Sequence, residues 1–122
     1  MYSKSSSNLD KIKQGNMKKV IAKVAAYELA MSEGFRNSVK ERIRKCEECD
    51  KYKSYMNFTK ESLQSALDYY GTFMERTVIE EFDKEFEVVL YKALQYSLEK
   101  FGIYTRAEGD KLYVRQSIVE LA

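Results

Sequence analysis

Apolar side chains recur every three or four positions along most of this chain, and that spacing predicts helices. In the first such stretch the recurring residues are Val20, Val24, Tyr27 and Met31. At about 100° per residue they share one apolar face of a helix. Gly34 follows them, and glycine commonly ends a helix in the left-handed conformation. The pattern therefore predicts a first helix over residues 16–33.

Capping signals indicate a second and a third helix. Ser38 and Glu41 have the spacing of a capping box, in which both side chains satisfy backbone N–H groups, and they predict a helix from residue 38 to about residue 55. Thr59 precedes the next apolar run as an N-cap, and Phe58 and Leu63 are placed for a hydrophobic staple. The third helix is therefore predicted to begin at residue 60.

The apolar period continues from the third helix to Phe101, which is too long for one globular helix. Gly71 or the pair Arg76–Thr77 marks the expected break, and Thr77 offers a further N-cap. We therefore expect two helices here, over residues 60–75 and 78–100.

The chain changes character after Gly102, which is placed to close the last helix. Segments 103–107 and 112–117 are rich in β-branched and aromatic residues, and they flank Gly109 and Asp110, which suit a hairpin turn. A two-stranded hairpin is marginal alone, so it should pack on the helices or pair with another strand. The predicted fold class is mainly α, of the α+β type: a bundle of three to four helices with a C-terminal β-hairpin.

Length and composition limit the chemistry. The chain has 122 residues, 44% of them hydrophobic, which suits one domain. We expect this domain to span residues 9–122 and the small polar residues 1–8 to be disordered. There is no histidine, the commonest catalytic base and metal ligand. Cys46 and Cys49 cannot complete a four-ligand zinc site. The sequence therefore predicts no catalytic residues, no metal, no other cofactor and no enzymatic activity.

The sequence also shows no targeting signal. The N-terminal segment lacks the apolar run of a signal peptide, and no stretch approaches the roughly twenty apolar residues of a membrane span. The chain has only two cysteines, which argues against an oxidised secreted domain. These features together predict a soluble cytoplasmic protein without a membrane partner. The absence of proline and the abundance of Lys and Tyr are compatible with an AT-rich coding genome, such as that of a phage or another mobile element.

Charge is divided unevenly along the chain. Residues 1–60 carry fourteen Lys and Arg against seven Asp and Glu, whereas residues 61–122 carry seven against twelve. Either the two parts pack together and partly cancel, or the basic part attracts phosphate while the acidic part attracts a basic partner. A nucleic-acid contact would use the lysines with few acids beside them, which are Lys11, Lys13, Lys18, Lys19 and Lys23.

The last predicted helix has the features of an interface. It is apolar on two sides, so it must be central in the fold or covered by a partner. The chain also has ten tyrosines, a residue type enriched at interfaces. The expected partner-binding residues on and before this helix are Glu80, Asp83, Glu87, Val88, Tyr91 and Leu98.

These features predict a small non-enzymatic interaction or inhibitor protein that binds a larger partner protein through a tyrosine-rich and acidic helical surface. A row of acids can occupy a basic groove meant for nucleic-acid phosphates, so a nucleic-acid-handling protein is among the expected partners, and the same face leaves room for a homo-oligomer. The alternative is a nucleic-acid-binding regulator that uses the N-terminal lysines.

Overall fold

The computed structural model describes the backbone of residues 2–49, 55–71 and 77–114, and the side chains of residues 17–46, 55–71 and 77–114. The described helices are α1 (Tyr2–Met31), α2 (Glu33–Cys49), α3 (Lys60–Tyr70) and α4 (Lys84–Glu99). Three short strands form an antiparallel sheet of order β1-β3-β2, with β1 at Tyr55–Met56, β2 at Arg106–Glu108 and β3 at Lys111–Tyr113. The predicted α+β fold class, a helical bundle followed by a hairpin, is confirmed.

Helices α1 and α4 share the most extensive contact between any two described elements. Helix α4 contributes large buried side chains, namely Phe86, Leu90, Tyr91, Leu94 and Leu98. Helix α1 meets them with a face made mostly of alanine: Ala22, Ala25, Ala26, Leu29 and Ala30, all completely buried. Because alanine ends at Cβ, α1 can approach α4 closely while the larger side chains fill the space between the two axes.

The opposite face of α1 is exposed, and it is the face that the hydrophobic pattern singles out. It consists of five side chains, each between 38% and 56% exposed, which we call the α1 stripe: Met17, Val20, Val24, Tyr27 and Met31. The most apolar face of a helix ordinarily turns to the core. Here the alanine face does so, because small residues are what the bulky side of α4 can accommodate.

The boundary between the first two helices lies at Ser32. This serine caps α2, its hydroxyl accepting a hydrogen bond from the Phe35 N–H at 3.4 Å. Helix α2 therefore begins at Glu33, so Gly34 lies in its first turn and the predicted start at Ser38 was wrong. Because only the first turn of a helix leaves backbone N–H groups without intrahelical partners, the capping-box spacing that begins at Ser38 is incidental inside a continuous helix.

Helix α1 begins at Tyr2, whereas the sequence predicted residue 16. The expected division of the chain into a disordered segment 1–8 and one domain 9–122 stays a prediction. The end of the predicted second helix was also wrong: α2 is described only to Cys49, residues 50–54 lie outside the described part, and residues 55–56 form a strand.

Helix α3 begins where its cap predicts. Thr59 Oγ1 accepts the Ser62 N–H at 3.0 Å, and Ser62 Oγ accepts the Thr59 N–H at 2.7 Å, a reciprocal capping box. A break follows α3, as predicted, but at Gly71, the first of the two positions considered: α3 ends at Tyr70 with Gly71 as its C-cap, so the predicted end at residue 75 was wrong. The next helix was expected from residue 78, but α4 starts at Lys84 because the cap is Asp83 and not Thr77.

The segment between Thr77 and Asp83 has no regular structure, and side chains satisfy its backbone. Gln64 on α3 donates from Nε2 to the Thr77 carbonyl at 2.9 Å and accepts the Ile79 N–H on Oε1 at 2.8 Å. The Thr77 hydroxyl donates to the buried carboxylate of Glu28 on α1. A segment that makes no helix or sheet hydrogen bonds needs such partners, and these hold Ile79 in the core.

The C-terminal hairpin pairs Arg106 with Tyr113 and Glu108 with Lys111, around a turn in which Gly109 has a φ of 58°. Gly102 closes α4 with a φ of 75°, as predicted. The third strand, β1, was missed by the sequence pattern; it pairs with β3 and so supplies the extra support that a lone hairpin lacks. Residues 115–117 of the predicted second hairpin strand lie outside the described part.

Candidate interaction surface

Two of the six expected partner-binding residues lie in the core. Tyr91 and Leu98 are both 0% exposed, because α4 is enclosed by α1 on one side and by strands β2 and β3 on another. A helix that is apolar on two sides is either central in the fold or covered by a partner. Helix α4 is central, so the expected exposure of Tyr91 and Leu98 was wrong. Val88 and Glu87 are half-buried, whereas Glu80 and Asp83 are exposed.

Tyr91 has a structural role at the centre of the molecule. Its hydroxyl accepts the Phe58 N–H at 3.0 Å, its ring stacks on that of Phe58, and it hydrogen-bonds the Glu87 carboxylate. Burial is the main cause that raises the pKa of Tyr91 to about 12, against the hydrogen bond from the Phe58 N–H, which lowers it. Burial is also the main cause of the raised pKa of Glu87. The pair joins α4 to the chain that leads into α3.

The acids before and at the start of α4 are partly used inside the molecule. Lys18 Nζ on α1 lies 2.8 Å from Asp83 Oδ2, 3.4 Å from Glu85 Oε2 and 3.9 Å from Glu81 Oε2. The hydrogen bond between Lys18 and Asp83 is the main cause of the raised pKa of Lys18 and of the lowered pKa of Asp83. At this point the basic and acidic parts of the chain cancel each other's charge.

The same contacts bear on the lysines expected to bind nucleic acid. The Lys18 side chain is only 14% exposed, and Lys19 lies 3.9 Å from Glu85. Lys23 is exposed, and no described acid pairs with it. The side chains of Lys11 and Lys13 lie outside the described residues. The described lysines therefore do not form a cluster of uncompensated positive charge.

The exposed aromatic rings are dispersed, and several carry a cation. The Arg36 guanidinium lies 4.0 Å from the ring centroid of Phe101, and the Lys100 ammonium lies 4.6 Å from that of Tyr96. Tyr69 is the most exposed large apolar side chain described, at 81%, and packs edge-on against Tyr70. The expected tyrosine-rich and acidic surface on the last helix stays a prediction.

The α1 stripe gathers five exposed apolar side chains on one face of one helix. Its residues are spaced by three, four, three and four positions, which is the spacing of the a and d positions of a coiled-coil heptad. Together the five side chains expose on the order of 400 Å², the size at which an apolar patch is often functional. The α1 stripe is thus a preformed helical seam.

The sequence pattern placed Val20, Val24, Tyr27 and Met31 on one face of the first helix and did not single that face out as a binding surface. The signal that could have located it is the second apolar series on the same helix, formed by four alanines and a leucine between residues 22 and 30. A helix that is apolar all round needs cover on both sides. In the described structure α4 covers only the alanine side.

Other chemistries find little support in the described residues. Cys46 is buried in the last turn of α2, and the Cys49 side chain lies outside the described part. Within the described ranges no three His, Cys, Asp or Glu side chains come together to hold a metal ion. None of the helices described there is both long and apolar enough to cross a membrane. The absence of cofactor and of enzymatic activity stays a prediction.

Asp83 provides a test of the contact between Lys18 and α4. Its carboxylate also caps α4, accepting the Phe86 N–H at 2.9 Å, so Asp83→Ala should lower the free energy of unfolding by about 1 kcal/mol, whereas Asp83→Asn keeps the cap. Because the folded pKa of Asp83 is lowered, the contribution of its charge is present above the unfolded pKa and is lost as pH falls through the folded one.

Urea unfolding at pH 7 and pH 3 measures both parts. We expect the Asn variant to lose less stability than the wild-type protein between the two pH values, and the Ala variant to be weaker than the Asn variant at pH 7. Equal pH dependence in the wild-type protein and in Asp83→Asn would contradict the bond to Lys18.

No family model, no curated protein and no solved structure matches this chain in the comparisons with known proteins.

Proposed function

We propose that this protein is a non-enzymatic interaction module that binds another polypeptide through the α1 stripe. The observation that supports this most directly is the exposure of five apolar side chains at heptad spacing on a helix whose other face is fixed in the core. The proposed class of function is the one predicted from the sequence. The proposed binding surface, however, lies on α1 and not on the acidic side of α4.

The way α1 is held favours binding. Its alanine face is locked against α4, so the helix is already formed when a partner arrives, and the association pays little to order its backbone. Side chains spaced like these are the anchors that helices use when they pack into a groove or against a second helix. A partner that presents a complementary apolar helix is therefore the best fit.

The alternative of a nucleic-acid-binding regulator is less well supported. Two of the three described candidate lysines, Lys18 and Lys19, lie within 4 Å of acids that precede or begin α4. Phosphate binding depends on positive charges that can replace bound counterions. An internal ion pair reduces that capacity, so Lys23 alone is a weak basis for such a contact.

Photo-crosslinking tests the proposed function in the cells from which the chain comes. A photoreactive side chain at position 24, in the centre of the α1 stripe, should give protein adducts. The same group at position 69 is the matched control, because Tyr69 is more exposed but lies on α3. Adducts to protein at position 24 and not at position 69 are expected. No protein adduct at position 24, or adducts to nucleic acid there, would overturn the proposal.

A further inference from the structure

We propose that residues 77–83, which we call the strap, open and close over the buried Glu28 carboxylate as a local unit while the helices stay folded. Glu28 lies on α1 and is 3% exposed, and the Thr77 hydroxyl of the strap donates to it. Neither Glu28 nor any residue of the strap belongs to the α1 stripe, so this motion is separate from the proposed binding surface. It gives the fold a second, open state in which this carboxylate meets water.

The strap is held to the helices by few contacts. Of its seven side chains only that of Ile79 is fully buried, whereas Val78 is 54% exposed. Within the described part of the chain, the hydrogen bonds that its backbone makes ahead of α4 both run to one side chain, Gln64, which contacts the Thr77 carbonyl and the Ile79 N–H. Segments with little buried apolar surface and few backbone hydrogen bonds open at a lower free energy than the whole domain.

The closed strap also buries a charge that has little compensation. One oxygen of Glu28 accepts the Thr77 hydroxyl, and no Lys or Arg among the described side chains forms an ion pair with this carboxylate. The other oxygen, Oε2, lies 3.7 Å from the position that a Cβ would take on Gly71. A carboxylate buried without a cation or several hydrogen bonds costs free energy, and contact with water removes this cost. The group that the strap covers therefore opposes its closure.

The end of the strap next to α4 is fixed more firmly. Asp83 accepts the Phe86 N–H at 2.9 Å as the cap of α4, and Lys18 Nζ on α1 lies 2.8 Å from its second carboxylate oxygen. Lys18 Nζ also lies 3.9 Å from Glu81 Oε2. None of these contacts involves the residues around Thr77, so they can persist while the first part of the strap opens. We therefore place the hinge of the motion at Asp83.

Amide hydrogen exchange of the full chain, followed by NMR at urea concentrations below the unfolding transition, tests the strap. The Ile79 N–H, which donates to Gln64, reports the strap, and the Leu90 N–H in the buried part of α4 reports global unfolding. The protection factor of Ile79 should be roughly tenfold or more below that of Leu90 and should depend little on urea, because a local opening exposes little surface. Equal protection and equal urea dependence at the two positions would overturn the local opening.

Substitutions at the Glu28 contact test the opposing charge. Thr77→Val keeps the shape of the side chain but removes the donor to Glu28, so it should lower the protection factor of Ile79 roughly tenfold. Glu28→Met added to Thr77→Val should restore that factor to the wild-type value or above, because two apolar partners bury no charge. An Ile79 protection factor that Thr77→Val leaves unchanged, or that the double variant does not restore, would contradict the role of Glu28.

Thr105→Val is the matched control for Thr77→Val. Thr105 is also buried, at 2% exposed, but it lies between α4 and β2. The same substitution there should leave the protection factor of Ile79 unchanged, whatever it does to that of Leu90. A fall at Ile79 in Thr105→Val would show that its exchange follows the stability of the whole fold, and the strap would then be no local unit.

Discussion

Ala26→Glu should unfold the protein, whereas Val24→Glu should leave the free energy of unfolding of the monomer within about 0.5 kcal/mol of the wild type. Ala26 is completely buried against α4, and Val24, two residues earlier on the same helix, belongs to the exposed α1 stripe. A glutamate forced into the core without a partner costs about 3–5 kcal/mol or more, which is comparable with the whole stability of a small domain.

The measurement is urea unfolding followed by circular dichroism. Both substitutions introduce the same side chain on the same helix, so the difference in helix propensity comes only from the residue replaced and stays below about 1 kcal/mol. If Val24→Glu unfolded the protein and Ala26→Glu did not, α1 would be turned around, and the α1 stripe would lie in the core.

Tyr91→Ala should cost about 3–5 kcal/mol, the range for removing a buried aromatic ring, and Tyr91→Phe about 1–3 kcal/mol, because the Phe58 N–H loses its acceptor. The hydroxyl also predicts an alkaline effect. The pKa of Tyr91 is raised to about 12 from an unfolded value near 10. Its contribution to stability is therefore complete below pH 10 and is lost as pH rises towards 12.

Urea midpoints measured between pH 8 and pH 12 test this effect. Tyr91→Phe should show a smaller alkaline loss of stability than the wild-type protein. Tyr69→Phe is the matched control, since this tyrosine is 81% exposed, and it should follow the wild type at every pH. A Tyr91→Phe variant with wild-type stability would mean that the hydroxyl is not part of the core.

The parts of the fold that follow from local sequence were predicted well. The N-cap at Thr59, the break after Gly71, the glycine that closes α4 and the hairpin turn at Gly109 each depend on residues within a few positions of one another. Such features arise from backbone hydrogen bonding and allowed dihedral angles, which one stretch of sequence contains in full.

Features that depend on distant packing were not predicted. Helix α1 has two apolar faces, and only the shape of α4 decides that the alanines are buried and Val24 is not. Strand β1 exists because β3 supplies its partner about sixty residues later. Tyr91 was expected at the surface because the elements that bury it, α1 and the strands, are distant in the sequence. The sequence therefore placed the candidate site on and before the last helix, and the α1 stripe became a candidate only once the packing of α1 against α4 was known.

The pairing of α1 with α4 also has a consequence for synthesis. The bond between Lys18 and Asp83 spans 65 positions, and the hydrophobic contacts reach as far as Leu98. While a ribosome is still making the intervening segment, α1 has emerged with both its alanine face and the α1 stripe bare, and no local structure can cover them. The nascent chain of this protein therefore exposes apolar surface until the second half of the fold is translated, which is the stage at which it is most prone to aggregate.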